Sequence, residues 1–353
     1  MRTIKKFVIV CMTAATATLL FSCKKNSDSK ETSGIESSSV TAEVSAWDKL
    51  NDKEKDFYNS LEKEGHTIKK DTGYVYIDAA GYEDDHGRTY GDDGIVITYW
   101  FGDEDIVHVP EEIDGKKVVN VANALMRKYG DTNDKYHNLG YLPPEIKELY
   151  FPEDFQEIYC GFDHFEALEK IELPKSQTEI QFCAFGYCLS LKEFTCPDGI
   201  TIIDRRAFES CESMMTFTFN NGLKTIEDDA FAFCESLEKL EFPDTLESIG
   251  IQSFQGCTSL KEVNIPSKVK TIPKRAFFFC QSLETVNLPE GVTTINSEAF
   301  ARCDNLKEIY IPESVTEIAE NAFEECYDLS IKGKSGSYAE EYAKEYGFDF
   351  IEV

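Results

Sequence analysis

Cysteine is the residue type whose number and spacing in this chain most clearly suggest chemistry. Seven of the twelve cysteines recur every 23 residues: Cys188, Cys211, Cys234, Cys257, Cys280, Cys303 and Cys326. Thiolates bind zinc, but zinc sites usually contain C-x2-C pairs or mixed cysteine and histidine clusters, and neither occurs here. Cysteines stacked about 4.8 Å apart are within disulfide range, yet their parallel side chains give poor bridge geometry. We therefore expect reduced, buried cysteines that pack as small hydrophobic side chains.

The other residue types that perform catalysis form no recognisable constellation. The five histidines lie outside the regular repeats and form no H-E-x-x-H pair: His66, His86, His108, His137 and His164. The sequence contains no G-x-S-x-G motif, no phosphate-binding glycine loop and no Walker lysine. We therefore expect neither enzymatic activity nor a cofactor.

An acidic cluster precedes the repeats and offers oxygen ligands of the kind that calcium prefers. It comprises Asp84, Asp85, Asp92 and Asp93 around His86 and Gly87, followed by Asp103, Glu104 and Asp105. The spacing does not match the EF-hand loop, whose ligands occupy fixed positions. We prefer a solvated hairpin loop, with calcium binding as the alternative.

The charge of the chain restricts its partners. The formal net charge is -29 at pH 7. Nucleic-acid binding requires lysine and arginine side chains that neutralise phosphates, so this charge argues against nucleic acid as a partner. The same charge keeps the protein away from anionic lipid surfaces.

The N-terminus has the features of a bacterial export signal. Basic residues precede an apolar stretch from Phe7 to Phe21 that is too short for a spanning helix. The segment Leu20-Phe21-Ser22-Cys23 resembles the bacterial lipobox, although a phenylalanine is less usual there than a small residue. This resemblance implies a signal peptide over residues 1–22 and lipidation of Cys23. Plain secretion and an uncleaved anchor are the alternatives.

The segment after the signal has a composition that cannot form a core. Residues 23–46 are rich in Ser, Thr, Glu and Lys, so we expect a disordered tether. With Cys23 lipidated, the protein is exported and lipid-anchored to the bacterial cell envelope, exposed at the surface. The lipid anchor is then its only contact with the membrane.

A 23-residue repeat organises most of the remaining chain. A phenylalanine stands three residues before each of the seven cysteines, and an isoleucine stands five residues before each phenylalanine. The unit is L-x-x-V-x-I-P-x-x-V-x-x-I-x-x-x-A-F-x-x-C, as from Leu260 to Cys280. Alternation at Val263 and Ile265 predicts a short strand that ends at the proline, and A-F-x-x-C predicts a short helix or turn. Each unit is one coil of a solenoid and must stack on its neighbours to fold.

The ends of the solenoid are less regular. One coil has Phe165 in place of the cysteine, the coil around Leu149 is about one residue out of step, and an entry coil begins near Val107. Apolar spacing predicts an amphipathic helix from Trp47 to Leu61 and a strand from Ile95 to Phe101. A closing helix is predicted from Tyr338 to Tyr346. These features divide the chain into an N-terminal cap region (47–105), a solenoid (106–330) and a C-terminal cap (331–353).

The repeat resembles the BspA-like leucine-rich-repeat family. The resemblance rests on units such as Leu283 to Cys303 and on the closing segment Gly336 to Ala343, and it covers roughly residues 106 to 353. It implies an α+β leucine-rich-repeat solenoid with one short strand in each 23-residue coil, a helix and strand cap and a C-terminal capping helix. Family members are commonly surface or secreted bacterial proteins, and some are adhesins. Because the motif positions are core positions, no functional residue is carried over.

Strand alternation also predicts which residues form a binding surface. The residues on either side of the buried strand position point outward and form two columns: Glu193, Thr195, Thr216, Thr218, Lys239, Glu241, Glu262, Asn264, Thr285, Asn287, Glu308 and Tyr310, preceded by Lys170 and Glu172. This face has Tyr310 as its single aromatic anchor, so its affinity would come from a wide contact. A competing site is the aromatic-rich N-terminal part: Tyr74, Tyr76, Tyr82, Tyr90, Tyr99 and Trp100. The alternative interpretation of that part is a cap that buries its aromatic side chains.

These observations lead to two functional hypotheses. The first is a non-enzymatic envelope lipoprotein that binds a protein or glycan partner, such as host matrix or another cell surface, through its repeats, with adhesion as one role. The second is a structural scaffold or assembly protein of the envelope or periplasm. The sequence does not indicate an oligomeric state.

Overall fold

The computed structural model describes residues 45–81, 93–100, 102, 104–121, 146–153, 155 and 162–353. Several predictions lie outside the described residues, namely those for the signal peptide, Cys23, most of the tether, Tyr82, Asp84, Asp85, His86, Gly87, Tyr90, Asp92, Phe101, Asp103 and His137. No helix in the described part of the chain has the length and apolar character needed to cross a bilayer.

The N-terminal part combines two short helices with a five-stranded sheet. The elements are α1 (Ala46–Lys49), α2 (Asp52–Lys63), β1 (Thr67–Ile68), β2 (Tyr74–Asp78), β3 (Ile95–Trp100), β4 (Ile106–His108), β5 (Glu112–Ile113) and β6 (Lys116–Val121). The sheet has the order β1-β2-β3-β6-β5, and β4 is not part of it. The predicted helix is confirmed from Asp52 onward as α2, whereas Trp47 lies in the separate helix α1. Tyr58 and Leu61 of α2 pack on Val75 of β2.

The predicted strand from Ile95 is confirmed as β3, but both of its faces are buried. Ile95 and Ile97 join the main core, whereas Val96 packs with Ala79 and Val119 on the other face. This double burial follows from its central position, antiparallel to β2 and parallel to β6. Strands β3 and β6 pair with each other although they lie on opposite sides of residue 105, where we place the boundary between the N-terminal cap region and the solenoid. This boundary therefore remains a proposal.

The solenoid has two columns of short parallel strands. The front column contains the first strand of each coil: β4, β7 (Glu148–Tyr150), β8 (Lys170–Glu172), β10 (Glu193–Thr195), β12 (Thr216–Thr218), β14 (Lys239–Leu240), β16 (Glu262–Asn264), β18 (Thr285–Asn287), β20 (Glu308–Tyr310) and β22 (Ser330–Gly333). The side column contains a second strand: β9 (Glu179–Ile180), β11 (Ile202–Ile203), β13 (Thr225–Ile226), β15 (Ser248–Ile249), β17 (Thr271–Ile272), β19 (Thr294–Ile295) and β21 (Glu317–Ile318). The solenoid with 23-residue coils is confirmed, and the side column is an addition that we did not predict.

The strand register confirms the predicted repeat frame. Val263 of β16 pairs with Val286 of β18, which lies one repeat later. In the irregular coil, Leu149 of β7 pairs with Ile171 of β8, so this coil is one residue out of step as expected. Strand β4 pairs with β7 and is therefore the first strand of the front column.

The A-F-x-x-C segment forms turns rather than a helix. Two residues in six of the seven regular coils have positive φ angles, for example Arg206 at 57° and Ser210 at 59°. The last regular coil has one, Glu325 at 63°. The backbone N–H groups of Arg206, Phe208 and Ser210 donate to carbonyls of the next coil at 2.8–3.0 Å. The same three alternate N–H groups are used in five consecutive coils, from residues 183–187 to residues 275–279, and we call this arrangement the turn ladder. It needs a following coil to accept its hydrogen bonds, which is one reason why the coils must stack.

The positive φ angles predict where glycine would stabilise the fold. Serine in the left-handed region is strained, and glycine is not, as Gly256 illustrates at the same repeat position in another coil. We expect Ser210→Gly to raise the free energy of unfolding by about 0.5–1 kcal/mol. The control Ser213→Gly, at a position without a positive φ angle, should lower it by a similar amount. Urea unfolding measures both, and equal effects of the two substitutions would contradict the prediction.

A stack of phenylalanine rings fills the centre of the solenoid. Eight rings, one from each of eight consecutive coils, lie face to face with centroids 5.1–5.7 Å apart: Phe162, Phe185, Phe208, Phe231, Phe254, Phe277, Phe300 and Phe323. All eight are buried. The ring spacing is close to the separation of neighbouring strands, about 4.8 Å, because each ring repeats with its coil.

The C-terminal cap closes this core. Helix α3 (Tyr338–Tyr346) is confirmed as predicted and ends at Gly347, which is left-handed with φ 81°. Strand β23 (Asp349–Glu352) follows and pairs with β22. Tyr342 packs edge-on against Phe323 and stacks on Phe348, so the cap continues the aromatic stack beyond the last coil.

Candidate functional site

The repeated cysteines are buried, as predicted, but they also donate hydrogen bonds. Each Sγ lies 3.1–3.3 Å from the backbone carbonyl of a phenylalanine in the preceding coil, as in Cys257 to Phe231. Burial raises the pKa of these thiols, to about 12 for Cys234. The nine described cysteines are free. Protonated thiols in a dry core are poor nucleophiles and poor metal ligands, so this column contributes to stability.

Metal binding has no support in the described residues, among which no group of three or more His, Cys, Asp or Glu side chains is placed to hold an ion. Most of the acidic cluster lies outside the described residues. One of its members, Asp105, instead forms an ion pair with Lys147 at 3.1 Å. The calcium alternative therefore stays an untested prediction.

The front column places every predicted surface residue on one exposed face, which we call the front face. In the front-column strands from β10 to β20 one residue is buried and its two neighbours in the sequence are exposed, as Glu262 and Asn264 are on either side of Val263. All twelve of the predicted residues between Glu193 and Tyr310 are exposed. The face results from strand alternation, since the buried middle residue fixes the direction of both neighbours.

Side chains on the front face interact within and between coils. Asn287 donates to the side-chain carbonyl of Asn264 at 2.6 Å, and Asn264 donates to Glu262 at 3.0 Å. Lys239 pairs with Glu241, and this contact lowers the pKa of the carboxyl group. The centre of the face is thus a polar strip with hydrogen bonds within and between coils.

The front face also extends further toward the N-terminus than the predicted residues. His108 of β4 stacks on Tyr150 of β7 with ring centroids 4.7 Å apart, and the Lys170 ammonium lies 5.3 Å from the Tyr150 ring centre. With Tyr310, which is 39 % exposed, aromatic side chains occur near both ends of the face. The segment Glu148-Leu149-Tyr150 has the same alternation as the regular strands, and this signal could have revealed the extension.

The competing aromatic-rich region is largely buried where it is described. Tyr76 and Trp100 are buried in the main core. Burial raises the pKa of Tyr74 to about 12. The Tyr76 hydroxyl donates to Asp114 at 2.7 Å. These contacts fit the interpretation of a cap that buries its aromatic side chains.

Comparison with known proteins gives one family match. The model described as a BspA type leucine rich repeat region matches in six copies, over residues 143–258 and 224–335. Among curated proteins, none matches this chain.

The solved structures that are similar to this chain include three bacterial proteins with leucine-rich repeats. A leucine rich cell surface protein from Faecalibacterium prausnitzii A2-165 is 18% identical, over 81% of this chain and 94% of that one, with a TM-score of 0.39. The leucine rich repeat protein of T. pallidum is 22% identical, over 81% and 97%, also with a TM-score of 0.39. A leucine-rich repeat protein from Eubacterium ventriosum ATCC 27560 is 26% identical, over 52% and 59%, with a TM-score of 0.40.

Proposed function

Because this chain belongs to the BspA-type leucine-rich-repeat family, we propose that it is a non-enzymatic envelope protein that binds a protein or glycan partner through its front face. The observation that carries the proposal is the register of that face. In successive coils the front strand has one buried residue between two exposed residues. The buried residues belong to the core that contains the stacked phenylalanine rings. A rigid array of this kind loses little conformational entropy when a partner binds.

The shape and chemistry of the front face suit an extended partner. Ten strands spaced by about 4.8 Å give a face on the order of 45 Å long. Its centre offers amides, hydroxyls and paired charges, which are the groups that recognise polar protein surfaces and sugars. The aromatic side chains of Tyr150 and Tyr310 near its ends are of the type that contributes most to binding energy.

The envelope location of this function rests on the N-terminal sequence. Lipidation of Cys23 after removal of residues 1–22, with a tether to residue 46, would hold the solenoid at some distance from the membrane. Surface exposure distinguishes adhesion from the scaffold alternative. Protease treatment of intact cells should remove a surface adhesin and leave a periplasmic scaffold untouched.

The binding prediction concerns the centre of the front face. We expect Glu262→Ala/Asn264→Ala to weaken binding to the partner about tenfold, because it removes one hydrogen-bonding row from a face of many weak contacts. The measurement is binding of the purified chain from Trp47 to Val353 to an array of matrix proteins and glycans. The matched control Ser248→Ala/Glu317→Ala changes two exposed residues of the side column and should bind as the unmodified chain does.

Two results would contradict the front-face proposal. Equal weakening by both double variants would place recognition outside the front face. Absence of binding to every array member, together with protection from protease on intact cells, would favour the scaffold function.

A further inference from the structure

The turn ladder has an open end at the last coil. In five consecutive interior coils the N–H groups of three alternate residues donate to the next coil, as those of Arg275, Phe277 and Phe279 do at 2.9–3.1 Å. The following coil uses two of them, those of Phe300 and Arg302. The equivalent donors of the last coil are the N–H groups of Asn321, Phe323 and Glu325. No acceptor for these three groups occurs among the residues that the structure describes.

The C-terminal cap packs against the ring of Phe323, which is 1 % exposed, but none of its described residues accepts a hydrogen bond from the three turn donors. Strand β22 pairs with the front strand β20. The hydroxyl of Tyr342 donates to the carbonyls of Ala319 and Glu320, both at 3.2 Å. Beside this turn lies an open groove of about 700 Å³, lined on one side by residues 320, 321 and 323–329 and on the other by residues 346–349. The three unused donors therefore belong to the wall of a groove that is large enough for a peptide segment.

The groove carries negative charge. Its walls include Glu320, Glu324 and Asp349, all exposed, and no cation pairs with any of them in the described part of the chain. Two tyrosines add aromatic surface to the same groove: Tyr327 is 85 % exposed and Tyr346 is 41 % exposed. Carboxylates next to accessible aromatic rings attract lysine and arginine side chains, through ion pairs and cation–π contacts.

We propose that this groove, the terminal groove, binds an extended cationic segment of another polypeptide. The segment would supply backbone carbonyls to Asn321, Phe323 and Glu325, since an extended chain presents carbonyls on one edge at alternate residues. Its lysine or arginine side chains would reach Glu320, Glu324 and Asp349. This is strand addition in the place that a further coil would occupy. It does not depend on the front face.

The negative charge of the terminal groove favours a cationic segment over two other possible ligands. A free anion could accept from three N–H groups, but the unpaired carboxylates around them would repel it. A second copy of this chain would bring a formal net charge of -29 to an acidic groove, which opposes stacking of copies end to end. A cationic segment satisfies both the donors and the carboxylates.

The test uses the full chain and two fluorescent octapeptides, acetyl-(Lys-Thr)4-amide and its matched acidic counterpart acetyl-(Glu-Thr)4-amide. We expect binding of the lysine peptide alone. Glu320→Gln/Glu324→Gln should weaken it about fivefold, the range for two exposed charge pairs. The control Glu235→Gln/Glu284→Gln removes two exposed charges from coils far from the groove and should leave the affinity within about twofold.

Amide hydrogen exchange tests the backbone contact separately. In the free chain the N–H groups of Asn321, Phe323 and Glu325 should exchange faster than that of Phe277, which is bonded within the ladder. The lysine peptide should slow the three terminal amides about tenfold and leave Phe277 unchanged. Failure of the lysine peptide to bind, equal binding of both peptides, equal effects of the two double variants, or binding without slower exchange would each overturn the proposal. Loss of front-face binding would not affect any of these measurements.

Discussion

Raising the pH from 8 to 10 is expected to lower the free energy of unfolding by about 8 kcal/mol through six buried thiols alone. These are the fully buried members of the cysteine column: Cys188, Cys211, Cys234, Cys257, Cys280 and Cys303. A loss of this size is comparable with the total stability of many proteins, about 5–15 kcal/mol. The solenoid should therefore unfold sharply in mild alkali.

The sign of this effect follows from the direction of the pKa shifts. Burial raises the pKa of each thiol above its ordinary value of 9.0, to about 12 for Cys234 and well above 9.0 for Cys257. At pH 10 the folded chain keeps these protons, whereas the unfolded chain has released most of them. The stabilisation is complete below pH 9 and is lost as the pH rises toward the raised values. Each thiol contributes about 1.4 kcal/mol per pH unit in that window.

Urea unfolding in reducing buffer between pH 7 and pH 10.5 measures this dependence. Cys257→Ala should reduce its slope above pH 9 by about 1.4 kcal/mol per pH unit, because one titrating group is removed. The matched control Val263→Ala opens a cavity in the same coil without removing a proton, so it should lower stability equally at every pH. A Cys257→Ala slope equal to that of the unmodified chain would show that the thiol titrates in the folded state.

The buried half of each coil could be predicted because burial restricts the residue type. The isoleucine, phenylalanine and cysteine positions recur without exception in the seven regular coils, and Ile272, Phe277 and Cys280 are all fully buried. The hydrogen bond from the cysteine was missed for a related reason. A small apolar residue and a thiol donor have the same burial pattern, and only the recurrence of cysteine instead of alanine hinted at a donor.

Backbone conformation was harder to predict than burial. The left-handed positions in the turns are occupied by residues such as Arg206, Asp229 and Phe233, whereas glycine is the usual signal for positive φ. The side strands were missed because each has two residues with one of them buried, too short for an alternating pattern. The terminal groove has no sequence signal, since its donors are backbone N–H groups, which every residue type except proline has.

The front face shows both what alternation predicts and where it stops. Its regular part follows from the repeat, since exposed residues flank a buried position in each strand. The stacking of His108 on Tyr150 could not be foreseen because β4 and β7 pair although they are far apart in the sequence. The repeat therefore predicts exposed positions only in coils that keep the 23-residue spacing in the sequence.

Removal of one ring from the phenylalanine stack should have the largest effect of any single substitution that we consider. Phe254 is fully buried, with ring centroids 5.3 Å from Phe231 and 5.5 Å from Phe277, and its edge packs against Phe242. Phe254→Ala would leave a cavity between two coils that the backbone ladders prevent from closing. We expect the free energy of unfolding to fall by about 3–5 kcal/mol, measured by urea unfolding.

Two further substitutions separate ring stacking from simple burial. Phe254→Leu keeps most of the apolar volume but removes the ring. It should therefore lower the free energy of unfolding by less than Phe254→Ala does, because it leaves a smaller cavity. Phe182→Ala truncates a ring that is 53 % exposed and should cost less than about 1 kcal/mol. Because stability in a solenoid is a sum over neighbouring coils, the loss at Phe254 should also split the unfolding into two transitions. A single transition at an unchanged midpoint would mean that the aromatic stack does not couple the coils.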